Sequence, residues 1–281
     1  MIQLGFTIIV SLFGFISTMF FSRVLGADVL GSYFMFLTYF SIFNLIGDVG
    51  FGGALIKKVS EGKDQNEYFS TYFVARTCLV IVVTLLLIGF FENPFILVCA
   101  LIIAYLSNMI TAGICAKNYI GMYNASFGIA ELIRIVVSIL LVIFGYSLHG
   151  LIGGWFMGII LVGILCFKYF DYKLVKFNKN HVKNLLSFGF WGFLIGGAGL
   201  IMGYADTLFI GYFMTNADVG IYRVMLNFST ICLFLANAVN STLAPKISNW
   251  YENKKISEIS NTIGKSINYG LLLGIPACVG G

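Results

Sequence analysis

The chain of 281 residues is 59% hydrophobic and 10% charged, with a formal net charge of +5 and a mean hydropathy of +0.94. Soluble domains are about half apolar and a quarter charged, so this composition argues against a soluble enzyme, a nucleic-acid binder or a disordered linker. At about 20 apolar residues per crossing it has room for about eight or nine membrane helices. Open strands cannot cross lipid because their backbone groups would go unpaired. The expected fold is therefore all-α and polytopic.

In chain order the apolar runs predict helices over 2–25, 33–56, 69–91, 94–116, 125–147, 149–168, 185–213, 220–243 and an incomplete ninth from 266 onward. The run 185–213 exceeds a bilayer's need, which points to tilt or to a start at the interface before Trp191. The last run ends in "GIPACVGG", which carries the expectation that the sequence is a piece of a longer protein. The most polar stretch, "KYFDYKLVKFNKNHVKN" over 168–184, alternates aromatic residues with lysine. It reads as an amphipathic cytoplasmic segment at the membrane surface or as an ordinary charged loop. It divides a six-helix lobe (1–168) from a linker (169–184) and an incomplete second lobe (185–281).

Lysine placement predicts the orientation. With the N-terminus in the cytoplasm, the inner loops carry Lys57, Lys58, Lys63, Lys117, Lys168, Lys173, Lys176, Lys179, Lys183, Lys246, Lys254, Lys255 and Lys265. The outer loops carry no lysine and hold Asp28, Glu92 and Asp218. An excess of basic residues on the cytoplasmic side is the usual topology signal, and it places the protein in the cytoplasmic membrane as a multi-pass chain.

An internal repeat crosses the linker. "VLGADVLGSYFMF" (24–36) resembles "FMTNADVGIYRVM" (213–225), with Gly31 and Tyr33 matching Gly220 and Tyr222 at an offset of 189 and Lys57 matching Lys246 at the same offset. Six spans separate the two segments, so both halves would start in the same orientation. Parallel repeats of this kind build two-lobed transporters with a site between the lobes.

Seven ionised groups fall inside or at the lip of predicted spans: Arg23, Arg76, Arg134, Arg223, Asp48, Glu131 and Asp206. Each costs at least ~2.5–3.5 kcal/mol to insert, so it normally faces a bundle interior or aqueous cavity and has a partner. Asp48, Arg76, Glu131 and Arg134 share a depth in the inner half of the first lobe. Glu131 and Arg134 lie three apart on one helix face, and Asp48 and Arg76 are placed to pair between helices. Arg23, Asp206 and Arg223 lie nearer the outer face. Two roles fit these groups. One is ion pairs that lock helices; the other is an aqueous cavity whose arginines hold a phosphate, to which the planar, permanently ionised guanidinium is suited.

Other chemistry finds no foothold. The cysteines (Cys78, Cys99, Cys115, Cys166, Cys232, Cys278) lie in apolar runs without ligand spacing, and His149 and His181 stand apart in short connections. No cofactor and no metal site is expected, and no nucleophile, zinc or phosphate-loop motif is present.

The segments "FFSRVLGADVLGSYFMF" (20–36) and "IGDVGFGGALIKKVSE" (46–61) resemble the opening of polysaccharide-biosynthesis membrane proteins. These are the repeat-unit flippases of the multidrug/oligosaccharidyl-lipid/polysaccharide exporter superfamily. Ser22, Arg23, Leu25, Gly26, Gly31, Tyr33, Gly50 and Gly52 carry the pattern. In the second half "YADTLFIGYFMTNADVGIYRV" (204–224) matches it through Asp206, Gly211, Val219, Gly220 and Tyr222, and "LAPKIS" (243–248) looks like the end of that half's second span. The resemblance implies two bundles of about six helices, alternating access, and a polyprenyl-diphosphate oligosaccharide as cargo. Arg23, Arg76, Arg134 and Arg223 would then meet the diphosphate, and Asp48, Glu131 or Asp206 a coupling ion. Membrane lipid and glycan-assembly proteins are the implied partners, with no nucleic acid. A drug antiporter of the same superfamily, a membrane-embedded transferase or polymerase, and a non-transporting scaffold are the rival readings.

Overall fold

The computed structural model describes residues 2–62, 64–175, 177–229, 262 and 264. Seven helices are formed: α1 (Ile2–Asp48), α2 (Phe51–Ser60), α3 (Gln65–Phe90), α4 (Phe95–Ala116), α5 (Ile120–Ile143), α6 (Ser147–Phe167) and α7 (Lys179–Phe213). Residues 216–229 are helical as well. Among the described residues there is no strand. Among the described residues six helices are long and apolar enough to cross a membrane, α1 (from Leu12), α3, α4, α5, α6 and α7. The chain is thus a polytopic helical membrane protein. The predicted spans 220–243, in part, and 266 onward lie outside the described residues, as does "LAPKIS". Residues Met1–Ile221 form one compact unit and Tyr222–Gly281 a second.

Boundaries differ from the sequence expectation where backbone geometry intervenes. The predicted outer turn over 26–32 shrinks to one residue. Gly26, at φ 77° and ψ 171°, breaks α1 into two helices, and the chain is helical again from Ala27. At 1.5 Å per residue, 47 helical residues have the length of two bilayer crossings. The predicted span 33–56 stops at Asp48 because Val49 and Gly50 adopt left-handed conformations. The short helix α2 then starts afresh. It buries Phe51, Ala54, Leu55 and Val59 on one face and carries Lys57 and Lys58 in its last turn. At the end of α5 the amides of Gly145 and Tyr146 turn back to the carbonyls of Val142 and Leu141, so that helix ends four residues early.

The largest buried apolar cluster lies where α2, α3 and α4 meet the start of α7: Phe51, Leu55, Val59, Phe69, Tyr72, Met109 and Leu185. Between α5 and α6 small residues bring the helices close, as is usual in membranes where lipid supplies no apolar driving force. A Cβ on Gly154 would meet the Ser138 side chain, and one on Gly158 would lie 3.1 Å from the Arg134 stem. That missing methyl gives the arginine its room. The second half of α1 runs antiparallel to α7, with Gly50 against Gly189, Leu45 against Gly196 and Met35 against Gly211.

The stretch after α6 is non-helical from Phe170 to Val175 and at Phe177 and Asn178. It lies across the start of α3. Tyr172 stacks on Phe69 at 4.3 Å and donates to the Gly113 carbonyl at 2.9 Å. The backbone amides of Lys173 and Val175 donate to Asn66 and Ser70. The Asn178 side-chain amide and the His181 ring both reach the Glu67 carboxylate. Phe170 and Tyr172, two residues apart, pack inward onto the α2–α3–α4 cluster, while Asp171 and Lys173 are exposed. Burial pushes the Tyr172 phenol up to about 12.

Candidate functional site

The intramembrane charges form two separate clusters. In the first, α3 delivers Arg76 toward Asp48 at the end of α1, with Nε 3.3 Å from Oδ1. The guanidinium also donates to the Tyr72 hydroxyl, one helical turn back, and lies beside the ring of Tyr105. Tyr105 in turn bonds Thr77. Asp48 Oδ2 accepts the Gly52 amide at 3.3 Å, tying the carboxylate to the first turn of α2. Arg76 is 3% exposed. The cavity beside it, lined in part by Asn44 and Tyr105, measures about 10 Å³, the size of one water. No sugar-phosphate fits there in this conformation. Asn44 also accepts from Asn108 of α4, so α1, α3 and α4 are cross-linked by polar contacts at this level.

The second cluster is more open. On α5, Arg134 forks onto Glu131, with Nε 2.8 Å from Oε2 and the terminal nitrogen on Oε1. Their side chains are 22% and 23% exposed. The buried Tyr33 of α1 shares a hydrogen bond with Arg134, and Tyr204 of α7 lies near the same phenol. α1 and α5 thus meet at one guanidinium, whose long stem rests against Gly158 of α6. A bidentate carboxylate partner is the arrangement a phosphate would reproduce, with two parallel N–H···O bonds.

Three candidates remain. Arg23 is exposed on the first helix of α1, and Asp206 is half-buried on α7. Arg223 is half-buried in the segment 216–229 and belongs to the second compact unit. Among the described residues no group of three metal-ligating side chains converges. Counting charges alone missed Tyr33, Tyr72 and Tyr105, which lie against the arginines, and the Asn44–Asn108 bond that joins α1 to α4. Their signal was present as hydrogen-bonding side chains inside apolar runs, but hydropathy gives tyrosine little weight.

Apolar helices long enough to cross a membrane, with ion pairs folded between them, define a polytopic membrane protein. The profile of the polysaccharide biosynthesis protein family matches residues 1–250, and the chain belongs to that family. It is 25% identical over 275 residues to "Probable low-salt glycan biosynthesis flippase Agl15" of Haloferax volcanii, covering 95% of this chain and 58% of that protein. It is 25% identical over 248 residues to "Probable flippase AglR" of the same organism, covering 83% and 51%. "Uncharacterized membrane protein MJ1068" of Methanocaldococcus jannaschii is 26% identical over 191 residues, covering 63% and 36%. The chain thus spans a little over half the length of the two flippase relatives. No solved structure gives a significant match.

Proposed function

We propose that this chain is part of a flippase that carries a polyprenyl-diphosphate-linked oligosaccharide from the cytoplasmic to the outer leaflet for surface glycan synthesis. It acts as a transporter and not as an enzyme. One observation carries the cargo assignment: Arg134, in a membrane span and partly exposed, presents its fork to a carboxylate that a phosphate can replace. The family and the printed names of two relatives support the flippase role. Arg23 and Arg223 are the further cationic contacts along the route. Glu131 and Asp206 are the candidates for a coupling ion. Arg76 and Asp48 serve in this conformation as a helix lock, and take part in binding only if the two helices separate.

The N-terminus lies in the cytoplasm of a multi-pass cytoplasmic-membrane protein. The support is the lysine distribution. Lys57, Lys58, Lys117, Lys168, Lys173, Lys179 and Lys183 all follow the ends of alternate spans, which is the cytoplasmic pattern. The test uses the complete protein in vesicles, with inner-to-outer transfer of labelled lipid-linked glycan as the readout. Arg134→Ala is expected to lower the initial rate about tenfold or more, the loss of one charge-assisted contact of ~1.5–3 kcal/mol. Arg134→Lys recovers the charge without the fork and falls between. Parental rates in both variants would remove Arg134 from the cargo site.

A further inference from the structure

The start of α7 carries an open groove that neither charge cluster uses. Lys179, Lys183, Leu186, Phe190 and Trp191 line it, and none of the described lining residues is acidic. The first four follow at steps of four, three and four residues, which is one helix face. Leu186, Phe190 and Trp191 are 44%, 52% and 66% exposed, whereas Leu185 and Gly189 of the same turns are buried against the bundle. The groove measures about 570 Å³, which is the size of a small-molecule site and far more than an ion or a water needs.

The length of α7 sets the depth of this face. Its 35 residues span ~52 Å at ~1.5 Å per residue, against ~30 Å for the hydrocarbon core and ~40–45 Å with the headgroups. Exposed Tyr212 and Phe213 mark the far end, as aromatic rings do at an interface. Counting about 20 residues back from them sets Trp191 at the near interface. The turns of Lys179 and Lys183 then stand in and above the headgroup layer, and their long stems reach back to it. The groove is thus sorted along the membrane normal, with ammonium groups outermost and apolar side chains deeper. The neighbouring carboxylates are engaged elsewhere: Asp171 with Lys117, Glu67 with His181 and Glu61 with Lys58. Lys57, over the Phe188 ring at 4.2 Å, adds a further cation to this end.

We infer that the groove binds an anionic phospholipid of the leaflet on the lysine-bearing side. Its phosphate sits on Lys179 and Lys183, and an acyl chain runs along Leu186 and Phe190 against Trp191. A packed protein segment would need an acid opposite the lysines and has no cause to be ordered by depth; a phospholipid is built in that order. Each lysine beside an anionic headgroup strengthens binding about fivefold. The bound lipid anchors the start of α7 in the interface. No intramembrane arginine takes part, so the inference is independent of the cargo proposed above.

The test uses the complete protein, without glycan, in phosphatidylcholine vesicles. These carry either brominated phosphatidylglycerol or brominated phosphatidylcholine at the same mole fraction, since bromine quenches a tryptophan only on close approach. Phosphatidylglycerol is expected to quench the intrinsic fluorescence more strongly, and Trp191→Phe should abolish the difference. With Lys179→Gln and Lys183→Gln together the two lipids should quench alike, and added salt should narrow the difference in the parent. Both lysines are exposed, so the double variant is expected to elute as the parent does in size exclusion. Lys183→Gln alone, expected to lose part of the preference, serves if the double variant lowers folded yield. Equal quenching by the two lipids in the parent overturns the site. So does a preference that survives the glutamine variants or Trp191→Phe. Quenching by both lipids that Trp191→Phe leaves unchanged gives the face to another part of the chain, and overturns it likewise.

Discussion

At the scale of single residues, the two buried arginines do different work for reasons of packing. Arg76 has no room for anything but Asp48 and two tyrosines. Removing one partner of a buried pair costs about 3–5 kcal/mol because the other charge stays behind uncompensated. Arg76→Ala is therefore expected to destabilise the protein by about 3 kcal/mol, near the low end since Asp48 is partly exposed. Removing Asp48 as well should cost less than the sum of the two single changes. Thermal unfolding of the purified protein in detergent measures both. Tyr172 provides a probe of the linker. Its phenol is raised to about 12 from an ordinary value near 10. Its share of stability is fully present below pH 10 and is lost as pH rises through about 12. Ultraviolet titration should thus show one late-forming tyrosinate fewer in Tyr172→Phe than in the parent. At the other end of α7, Thr215 donates to the Asp218 carboxylate through hydroxyl and backbone amide, and these bonds hold Asp218 below its usual range.

Among elements, glycines act in opposite senses according to what surrounds them. Gly50 has a left-handed φ of 74°, and its missing Cβ faces the Gly189 carbonyl. Left-handed geometry alone costs a substituted residue about 1–2 kcal/mol, and the collision adds to it. Gly53, three residues on inside α2, has nothing within 4 Å of a Cβ. Gly50→Ala is expected to destabilise by about 2 kcal/mol or more, whereas Gly53→Ala should stabilise by about 0.5–1 kcal/mol through the helix preference of alanine. Paired melting curves decide the sign. The extended linker offers a third test. Tyr172→Ala removes the stack on Phe69 and the bond to Gly113, so limited proteolysis should cut within 168–178 sooner than in the parent.

For the whole molecule, the seam between the second half of α1 and α7 is lined by glycines from one end to the other. Gly50 and Gly189 lie at the lysine-bearing end, Gly196 and Gly211 between, and Gly31 with Gly220 beyond. In a membrane, helices gain little from hiding apolar surface from lipid that is itself apolar, so close backbone approach supplies the cohesion. The bond from the Asn216 side-chain amide to the Ser32 hydroxyl, at 3.2 Å, adds a polar tie beyond the end of α7. Tandem replacement of Gly196 and Gly211 by leucine is expected to hold α7 off α1. A distance between spin labels on α1 and α7 should then lengthen by several ångströms, about the width of the added side chains.

Hydropathy determined the membrane class, and the limits of α3, α4 and α6 and the end of α7 were legible to within a few residues because lipid imposes length and composition on every crossing; α7 starts at Lys179, six residues before the expected 185 and within the expected linker. The pairing of Arg76 with Asp48 and of Arg134 with Glu131 was also accessible, since depth and helical spacing restrict which charges can meet. Tertiary structure alone decided that the first pair is sealed and the second open, because exposure depends on neighbours such as Tyr105, Tyr33 and Gly158 that come from other helices. It also decided that α1 and α2 part at Val49–Gly50, and that the repeated glycines face one another. Periodicity records which face of a helix is apolar, whereas which backbone lies against a glycine is set only when the helices pack.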